Sequence, residues 1–400
     1  MSTFNYKKIF LLGLGFFSIS LLWQLYDFYV PLFLRTYIDS QFQINAIMTF
    51  DNILAVSLIP YFAALSDRTH TRFGRRMPYL MIGIPLSAIF FTLLPNFNSF
   101  LYLVVVLFLF NLTMAVYRAP TIALMPDITP QKQRSKANGI INFMGGLASV
   151  LVFSIGAILY EKSRSLPFSI SSVLIVLSLI LLFIFIKEPI AGTQAKEEKI
   201  NIRNSLKEIK NSKHLNTFYI LGAIFAWFLG YQGVLATFSN YTVIYLNAPV
   251  KQGSFTILFF ALFFLIFAIP SGFIGTKFGK KKTIEFGIIG LILSFLILAF
   301  IRTNFTFLGL DYNHFMMIFF AMGGINWALI NINSYPLIID QAPEEKVGTY
   351  TGLYYFASSL AAIIGPLLMG FIIDILGFGT MFFIAVITFV LAYVFIKKVH

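Results

Sequence analysis

The chain is dominated by long runs of apolar residues that are separated by short polar segments. Twelve of these runs extend for about 20 residues, which is the length an α-helix needs to cross the hydrocarbon core of a bilayer. The pattern therefore predicts an all-α membrane protein with twelve transmembrane helices. The predicted helices cover approximately residues 9–35, 42–65, 79–95, 100–125, 137–160, 167–187, 216–246, 252–276, 283–302, 314–339, 348–373 and 379–396.

One polar stretch divides the predicted helices into two groups of six. Residues 188–215 are rich in Lys and Glu and poor in apolar side chains, so they do not continue the membrane pattern. We therefore predict an N-terminal six-helix bundle at residues 1–187, a cytoplasmic linker at 188–215 and a C-terminal six-helix bundle at 216–400.

Two short motifs occur once in each half of the chain. A glycine followed by two basic residues lies at 74–76 and again at 279–281, each time between two apolar runs. An Asp-x-x-Pro motif lies at 127–130 and again at 340–343, and the surrounding positions match at the same offset. The repetition predicts two pseudo-symmetric bundles that arose by duplication.

Composition and charge agree with a membrane protein. The chain is 58% hydrophobic and 11% charged, with a mean hydropathy of +0.84. With both termini in the cytoplasm, most of the 29 Lys and Arg lie in cytoplasmic segments, as the positive-inside rule requires. We interpret the net charge of +13 as a determinant of topology and not as a nucleic-acid surface. The sequence thus predicts a multi-pass protein of the cytoplasmic membrane, with the lipid bilayer as a partner.

The sequence contains no pattern typical of an enzyme. It has no Cys, and its four His are scattered along the chain. No metal-ligand spacing, nucleotide-binding loop or nucleophile motif is present. We therefore predict neither a catalytic site, a metal site nor a cofactor.

The loop at residues 65–78, LSDRTHTRFGRRMP, carries a resemblance to a known family. Its Asp-Arg and Gly-Arg-Arg elements resemble the G-x-x-x-D-R-x-G-R-R motif of the major facilitator superfamily. Four extra residues between these elements make the loop similar to that of the glycoside–pentoside–hexuronide cation symporters and the sucrose-type proton symporters. The resemblance implies alternating-access transport and a gating network of charged side chains, which falls here on Asp67, Gly74, Arg75, Arg76, Asp127 and Arg134.

Three charged residues lie well inside predicted helices, away from the helix ends, at Asp27, Asp51 and Arg118. A charge at bilayer depth is costly, so such residues are usually functional, although a carboxylate near a helix end can also extend to the membrane surface. The string YRAPTIALMPD around Arg118 resembles a signature of sucrose-type symporters, which implies a role in substrate binding and proton coupling. Asp27 is favoured as the cation carrier because it shares a polar helix face with Gln24, and Asp51 is the alternative.

Aromatic and amide side chains are concentrated on the same helices as these charges. Sugars need such a mixture, because aromatic rings cover their apolar faces while amides and Arg bond their hydroxyls. Amides can instead hold membrane helices together, and that interpretation stays open. The predicted substrate contacts are Trp23, Gln24, Asn111, Arg118, Asn142, Trp227, Tyr231, Gln232, Asn326, Trp327 and Asn331.

Together these residues predict a secondary transporter that imports a neutral sugar, such as a glucoside or disaccharide, with a cation. Asp27 and Asp51 against Arg118 leave one surplus negative charge, which one proton or sodium ion would neutralise. A surplus carboxylate would also suit a cationic substrate. The alternative is therefore a proton-coupled exporter of drugs or cationic metabolites.

Overall fold

The computed structural model describes residues 5–130, 133–188, 215–301, 305–307, 309–343 and 346–399. It confirms the twelve predicted helices, each to within a few residues when the π-helical continuations of α5 and α7 are included. In chain order they are α1 Tyr6–Arg35, α2 Gln41–Arg68, α3 Met77–Leu93, α4 Phe100–Ile128, α5 Arg134–Leu151, α6 Leu166–Phe185, α7 Leu215–Asn240, α8 Val250–Phe278, α9 Lys280–Phe300, α10 Tyr312–Ile339, α11 Val347–Leu376 and α12 Met381–Lys397.

Two helices continue beyond their regular part through a wider turn. After α5 the chain forms a π-helical turn at Val152–Gly156 and a further α-helical segment at Ala157–Lys162. After α7 a second π-helical turn covers Tyr241–Tyr245. An apolar run has the same composition in either kind of helix, so the sequence pattern predicts the length of these spans and not the change of pitch.

A two-stranded antiparallel hairpin precedes α10, and it was not predicted. Its strands, β1 Thr306–Phe307 and β2 Leu310–Asp311, have only two residues each, which is too short for a periodic pattern. Asp311 then caps α10 by accepting hydrogen bonds from the backbone N–H groups of Asn313 and His314. The His314 bond is the main reason that the pKa of Asp311 is lowered.

Twelve helices in the described residues are long and apolar enough to cross a membrane. Helices satisfy every backbone hydrogen bond within one segment, which is why they can cross hydrocarbon. Large apolar side chains such as Leu101, Ile269 and Phe273 are more than 70% exposed, as expected of a surface that faces lipid. The chain is therefore an integral, multi-pass membrane protein.

The described residues form two compact units. The first unit contains the residues up to Tyr37 and those from Phe50 to the gap at 189–214. The second contains Ile38–Thr49 and the residues after that gap. The first turns of α2 thus cluster with the second unit, whereas the prediction placed all of residues 1–187 in one half. The predicted linker falls almost entirely outside the described residues, so these domain boundaries remain a prediction.

Each unit has a core built from closely packed helix pairs. In the first unit α1 packs against α5 and α6, and α3 packs against α4. In the second unit α10 packs against α8 and α9, and α7 packs against α11. Glycines allow two of these close approaches, because a Cβ at Gly324 would collide with Phe260 of α8 and one at Gly365 would collide with Leu229 of α7.

Candidate functional site

A network of ion pairs joins the α2–α3 turn to the end of α4. Arg75 Nη2 lies 2.6 Å from Asp127 Oδ1, and Arg76 Nε lies 3.0 Å from Asp127 Oδ2. Arg76 also donates to Asp67 and to the hydroxyl of Ser66, and its side chain is only 5% exposed. The structure thus brings together four of the predicted gating residues, with the buried guanidinium of Arg76 between two carboxylates.

Glu188 is a further member of this network that the sequence analysis did not identify. Its carboxylate accepts hydrogen bonds from the backbone N–H groups of Arg76, at 2.8 Å, and of Met77, at 3.3 Å. It therefore caps the first turn of α3, and it also lies 3.7 Å from Arg75 Nε. The sequence shows Glu188 only as a carboxylate directly after the apolar run of α6, at the first position of the predicted linker.

Gly74 is required by this arrangement for two independent reasons. Its φ angle is +103°, a conformation that side chains with a Cβ rarely adopt. A Cβ at this position would also collide with the Glu188 carboxylate. Gly74 thus lets the turn approach Glu188 closely.

Arg134 lies near this network but bonds to a different kind of group. Its Nη2 donates to the carbonyl oxygen of Pro126 at 2.9 Å, and its Nε donates to that of Thr129 at 3.3 Å. These are carbonyls at the C-terminal end of α4, where a cation is favourable. The structure therefore places Arg134 as a helix cap beside the carboxylate network.

The second unit has a corresponding but more exposed set of charges. Lys280 pairs with Asp340, whose side chain is 53% exposed, compared with 13% for Asp127. Glu285 lies 3.9 Å from Lys281 and 3.3 Å from Lys397, so its carboxylate offsets the charge of the basic turn. Thr276 lies three residues before Gly279, as Asp67 would lie before Gly74 without the four extra loop residues, and its hydroxyl bonds to carbonyls of its own helix.

A small pocket in the first unit contains the main candidate substrate and cation residues. Arg118 and Asn111 on α4, Trp23 on α1 and Asp51 on α2 all line it. Arg118 Cζ lies 5.4 Å from the centroid of the Trp23 ring, which is within cation–π range. The remaining wall is apolar and is formed by Leu54, Ala55, Ile59, Met114 and Ala115.

Asp51 and Asp27 differ in their relation to this pocket. Asp51 lies on its wall, and its Oδ1 accepts hydrogen bonds from the backbone N–H and the Nδ2 of Asn52. Asp27 and Gln24 are half-buried on α1 and do not line the pocket, and Asn142 on α5 is exposed and also lies outside it. The structure therefore brings Asp51, and not Asp27, into the same pocket as Arg118.

The aromatic candidates of the second unit occupy two different environments. The Tyr231 and Trp327 rings are stacked at 4.1 Å with an interplanar angle of 9°, and Phe228 contacts the Trp327 ring edge-on at 5.4 Å. Trp227 is fully buried in the core of its unit. Tyr231 is half-buried, whereas Trp327, at 3% exposed, and Trp227 both contribute to packing in the core of their unit.

The amide groups of α10 are used in part for helix packing. Asn333 donates to the backbone carbonyl and the hydroxyl of Ser271 on α8. The Asn326 amide packs directly over Gly290 of α9, where a Cβ would collide with it. These contacts fit the interhelical alternative that the sequence left open. Two further candidates, Gln232 and Asn331, are half-buried.

A buried polar cluster in the second unit was not predicted. Gln41 Nε2 donates to Asn45 Oδ1 at 2.8 Å, and Asn240 Nδ2 donates to Gln41 Oε1 at 3.1 Å. Asn45 Nδ2 donates in turn to the carbonyl oxygen of Pro366 at 2.7 Å. Single amides within apolar runs were the only sequence signal, and they do not reveal which helices meet.

Twelve membrane-spanning helices with charged residues inside three of them are typical of a membrane transporter. The family model described as Major Facilitator Superfamily matches residues 12–303 and 241–399. The chain belongs to this superfamily, whose members are transporters and not enzymes.

The names of individual relatives refer to different compounds. The chain is 23% identical over 321 residues to the class H tetracycline resistance protein of Pasteurella multocida, covering 78% of this chain and 75% of that protein. It is 26% identical over 259 residues to the isoprimeverose transporter of Lactiplantibacillus pentosus, covering 60% and 52%. A crystal structure of the nucleoside transporter NupG superposes with a TM-score of 0.77 at 16% identity, covering 98% and 100%, which shows the shared fold.

Proposed function

We propose that this protein is a proton-coupled symporter of a neutral sugar. The observation that carries the proposal is the pocket of the first unit, where Arg118, Asp51, Trp23 and Asn111 meet. Arg118 and Asn111 offer hydrogen-bonding groups for hydroxyls, and Trp23 offers an aromatic face for the apolar side of a sugar ring. The relationship to the isoprimeverose transporter supports a sugar as the substrate.

In this proposal Asp51 carries the coupling ion. A carboxylate within a membrane span is costly when charged, and a nearby guanidinium reduces that cost. Protonation of Asp51 would therefore change the balance of charge in the same pocket that holds the sugar. The sequence pattern favours Asp27, but we assign the coupling ion to Asp51 because it lines the same pocket as Arg118.

A second candidate function is the proton-coupled export of a drug or cationic metabolite. The tetracycline resistance protein matches 78% of this chain, compared with 60% for the isoprimeverose transporter. Asp51 would then interact directly with the substrate. Both candidates use the same pocket, so they differ in the molecule that moves and in its direction.

One reconstitution experiment distinguishes the two functions. Purified protein in proteoliposomes is offered radiolabelled methyl α-glucoside, sucrose, isoprimeverose and tetracycline, with a pH or a sodium gradient imposed separately. We expect one of the sugars to accumulate when the outside is acidic, and a sodium gradient alone to have no effect. Gradient-driven movement of tetracycline without uptake of any sugar would support the second function instead.

We also propose that the protein lies in the cytoplasmic membrane with both termini in the cytoplasm. The chain contains no Cys, so single cysteines can be introduced without removing any native thiol. His70, in the α2–α3 turn, and His314, in the first turn of α10, are both exposed. In intact cells a membrane-impermeant maleimide should label His314→Cys, whereas His70→Cys should react only after permeabilisation. The opposite pattern would mean that the topology is inverted.

A further inference from the structure

Tyr26 and Asn111 form a buried hydrogen bond directly behind the pocket wall. Asn111 Nδ2 donates to the Tyr26 hydroxyl at 3.0 Å, and Asn111 is only 5% exposed. Asn111 is part of the wall, whereas Tyr26 is fully buried on α1 and does not line the pocket. The tyrosine therefore acts on the pocket only through the amide that it holds.

The Tyr26 ring is itself fixed by its aromatic neighbours. It stacks on Phe110 with ring centroids 5.6 Å apart, and the Trp23 ring meets it edge-on at 5.3 Å. With no solvent access and a ring on each side, the hydroxyl cannot move away from Asn111 without repacking the unit. It is thus a rigid anchor for one end of the amide.

In this structure the amide bonds Tyr26 through its donor end, which sets the hydrogen-bonding group of Asn111 that remains available. An Asn side chain has one NH₂ donor group and one carbonyl acceptor. Because Nδ2 bonds to Tyr26, the acceptor Oδ1 is left, and this buried atom has no partner among the described residues. The buried Nε1 donor of Trp23, on the same pocket wall, likewise has no partner there.

We infer that Tyr26 is a positioning residue that fixes the orientation of the Asn111 amide, so that the pocket offers Trp23 as a donor and Asn111 as an acceptor to hydroxyl groups of the substrate. This inference rests on the proposed sugar transport and specifies how that sugar is selected. A hydroxyl group can accept from Trp23 and donate to Asn111. An ether oxygen or a fluorine atom can only accept, and an ammonium group can only donate.

The arrangement predicts a particular pattern of substrate discrimination. A deoxyfluoro sugar keeps an acceptor at the substituted carbon but loses the donor, whereas a deoxy sugar loses both. If Asn111 offers a fixed acceptor, both analogues should compete about tenfold more weakly than the parent sugar at one ring position, since a buried polar group is then left unpaired. A freely rotating amide could turn its N–H donor towards the fluorine and would tolerate the deoxyfluoro analogue better.

The experiment compares competition by these analogues in the native protein and in two variants. Parent, deoxy and deoxyfluoro forms of the transported sugar compete with labelled sugar for uptake into proteoliposomes. In Tyr26→Phe the amide is free to turn, so we expect the preference for the parent over the deoxyfluoro analogue to fall from about tenfold to less than about threefold. Asn111→Ala should lose the same preference, and its thermal unfolding in detergent verifies that the variant is folded.

Tyr102→Phe is the matched control. Tyr102 lies on α4, as Asn111 does, and its hydroxyl donates to the carbonyl oxygen of Leu93 at 3.3 Å, away from the pocket. This variant should keep the native preference. If the native protein transports sugar but Tyr26→Phe keeps the native preference, the inference is wrong while the proposed function stands. A native protein that transports none of the sugars would overturn the proposed function, and this inference with it.

Discussion

The guanidinium group of Arg118 lies over the Trp23 ring, 5.4 Å from its centroid, in the pocket that also contains Asp51. These residues come from three helices, α4, α1 and α2, of the same unit. A planar guanidinium can stack on an aromatic ring and still present two parallel N–H groups to a ligand. The geometry therefore suits an arginine that binds the substrate and is held in place by the tryptophan.

Replacement of Arg118 by lysine tests this role. Lysine keeps the charge but loses the planar fork, so we expect Arg118→Lys to insert normally and to lose about tenfold or more of its initial sugar uptake rate. Arg164→Lys is the matched control, because the Arg164 guanidinium lies 4.5 Å from the ring of Phe97, outside the pocket. Near-native uptake by Arg118→Lys would show that the fork is not needed.

Neutralising the two acidic residues separately tests the assignment of the proton carrier. Asp51→Asn should abolish accumulation of sugar against its gradient while sparing sugar exchange, because exchange needs no net movement of the proton. The Asp27→Asn variant should still accumulate sugar, since Asp27 does not line the pocket that contains Arg118. The measurement is the ratio of internal to external labelled sugar with the outside acidic. If both variants accumulate sugar, neither carboxylate carries the coupling ion.

The fold was predictable because hydrophobic length alone determines where a helix can cross a membrane. The charged network at the α2–α3 turn was predictable because the loop motif resembles that of a family in which these side chains interact. The pocket was only partly predictable. Sequence periodicity places Asp27 on a polar face of α1, but it does not show that Asp51, and not Asp27, lines the pocket with Arg118.

The contacts that the sequence did not predict join residues far apart in the chain. Glu188 caps a helix that begins more than a hundred positions earlier, and Asn45 reaches the carbonyl of Pro366. Neither contact has a local signature, because a carboxylate or an amide can bond many partners. The partner of each group depends on which helices pack together, and a single sequence does not show that packing.

Asp67 and Thr276 test the asymmetry between the two units. Asp67 pairs with the buried guanidinium of Arg76, whereas the Thr276 hydroxyl bonds within its own helix. Asp67 is half-exposed, so its pairing is screened by solvent, and we expect Asp67→Asn to slow transport about two- to fivefold with little change in sugar affinity. Thr276→Ala should be nearly neutral. Equal losses of transport rate in the two variants would contradict the asymmetry.

Gly74 and Gly279 form a matched pair of sites that tests the close approach of Glu188 to the α2–α3 turn. Both have a positive φ, +103° and +92°, so alanine at either position costs about 1–3 kcal/mol in backbone strain. Only at Gly74 would the added Cβ also collide, because no atom of the described residues lies within 4 Å of a Cβ at Gly279. Thermal unfolding in detergent should therefore show a larger loss for Gly74→Ala than for Gly279→Ala. A double variant, Gly74→Ala with Glu188→Ala, should recover part of the difference.

Asp374, on α11, is expected to stabilise the start of α2. Its carboxylate accepts hydrogen bonds from the backbone N–H groups of Gln41, at 2.7 Å, and Phe42, at 3.1 Å, and from the Ser40 hydroxyl at 2.6 Å. Asp374→Ala leaves these first-turn donors of α2 without their acceptor. We expect this loss to lower the free energy of unfolding by about 1 kcal/mol. The matched control is Asp340→Ala, which removes an exposed ion pair with Lys280 and should cost less. Thermal unfolding of the two variants in detergent checks the difference, and equal melting temperatures would mean that Asp374 does not hold α2.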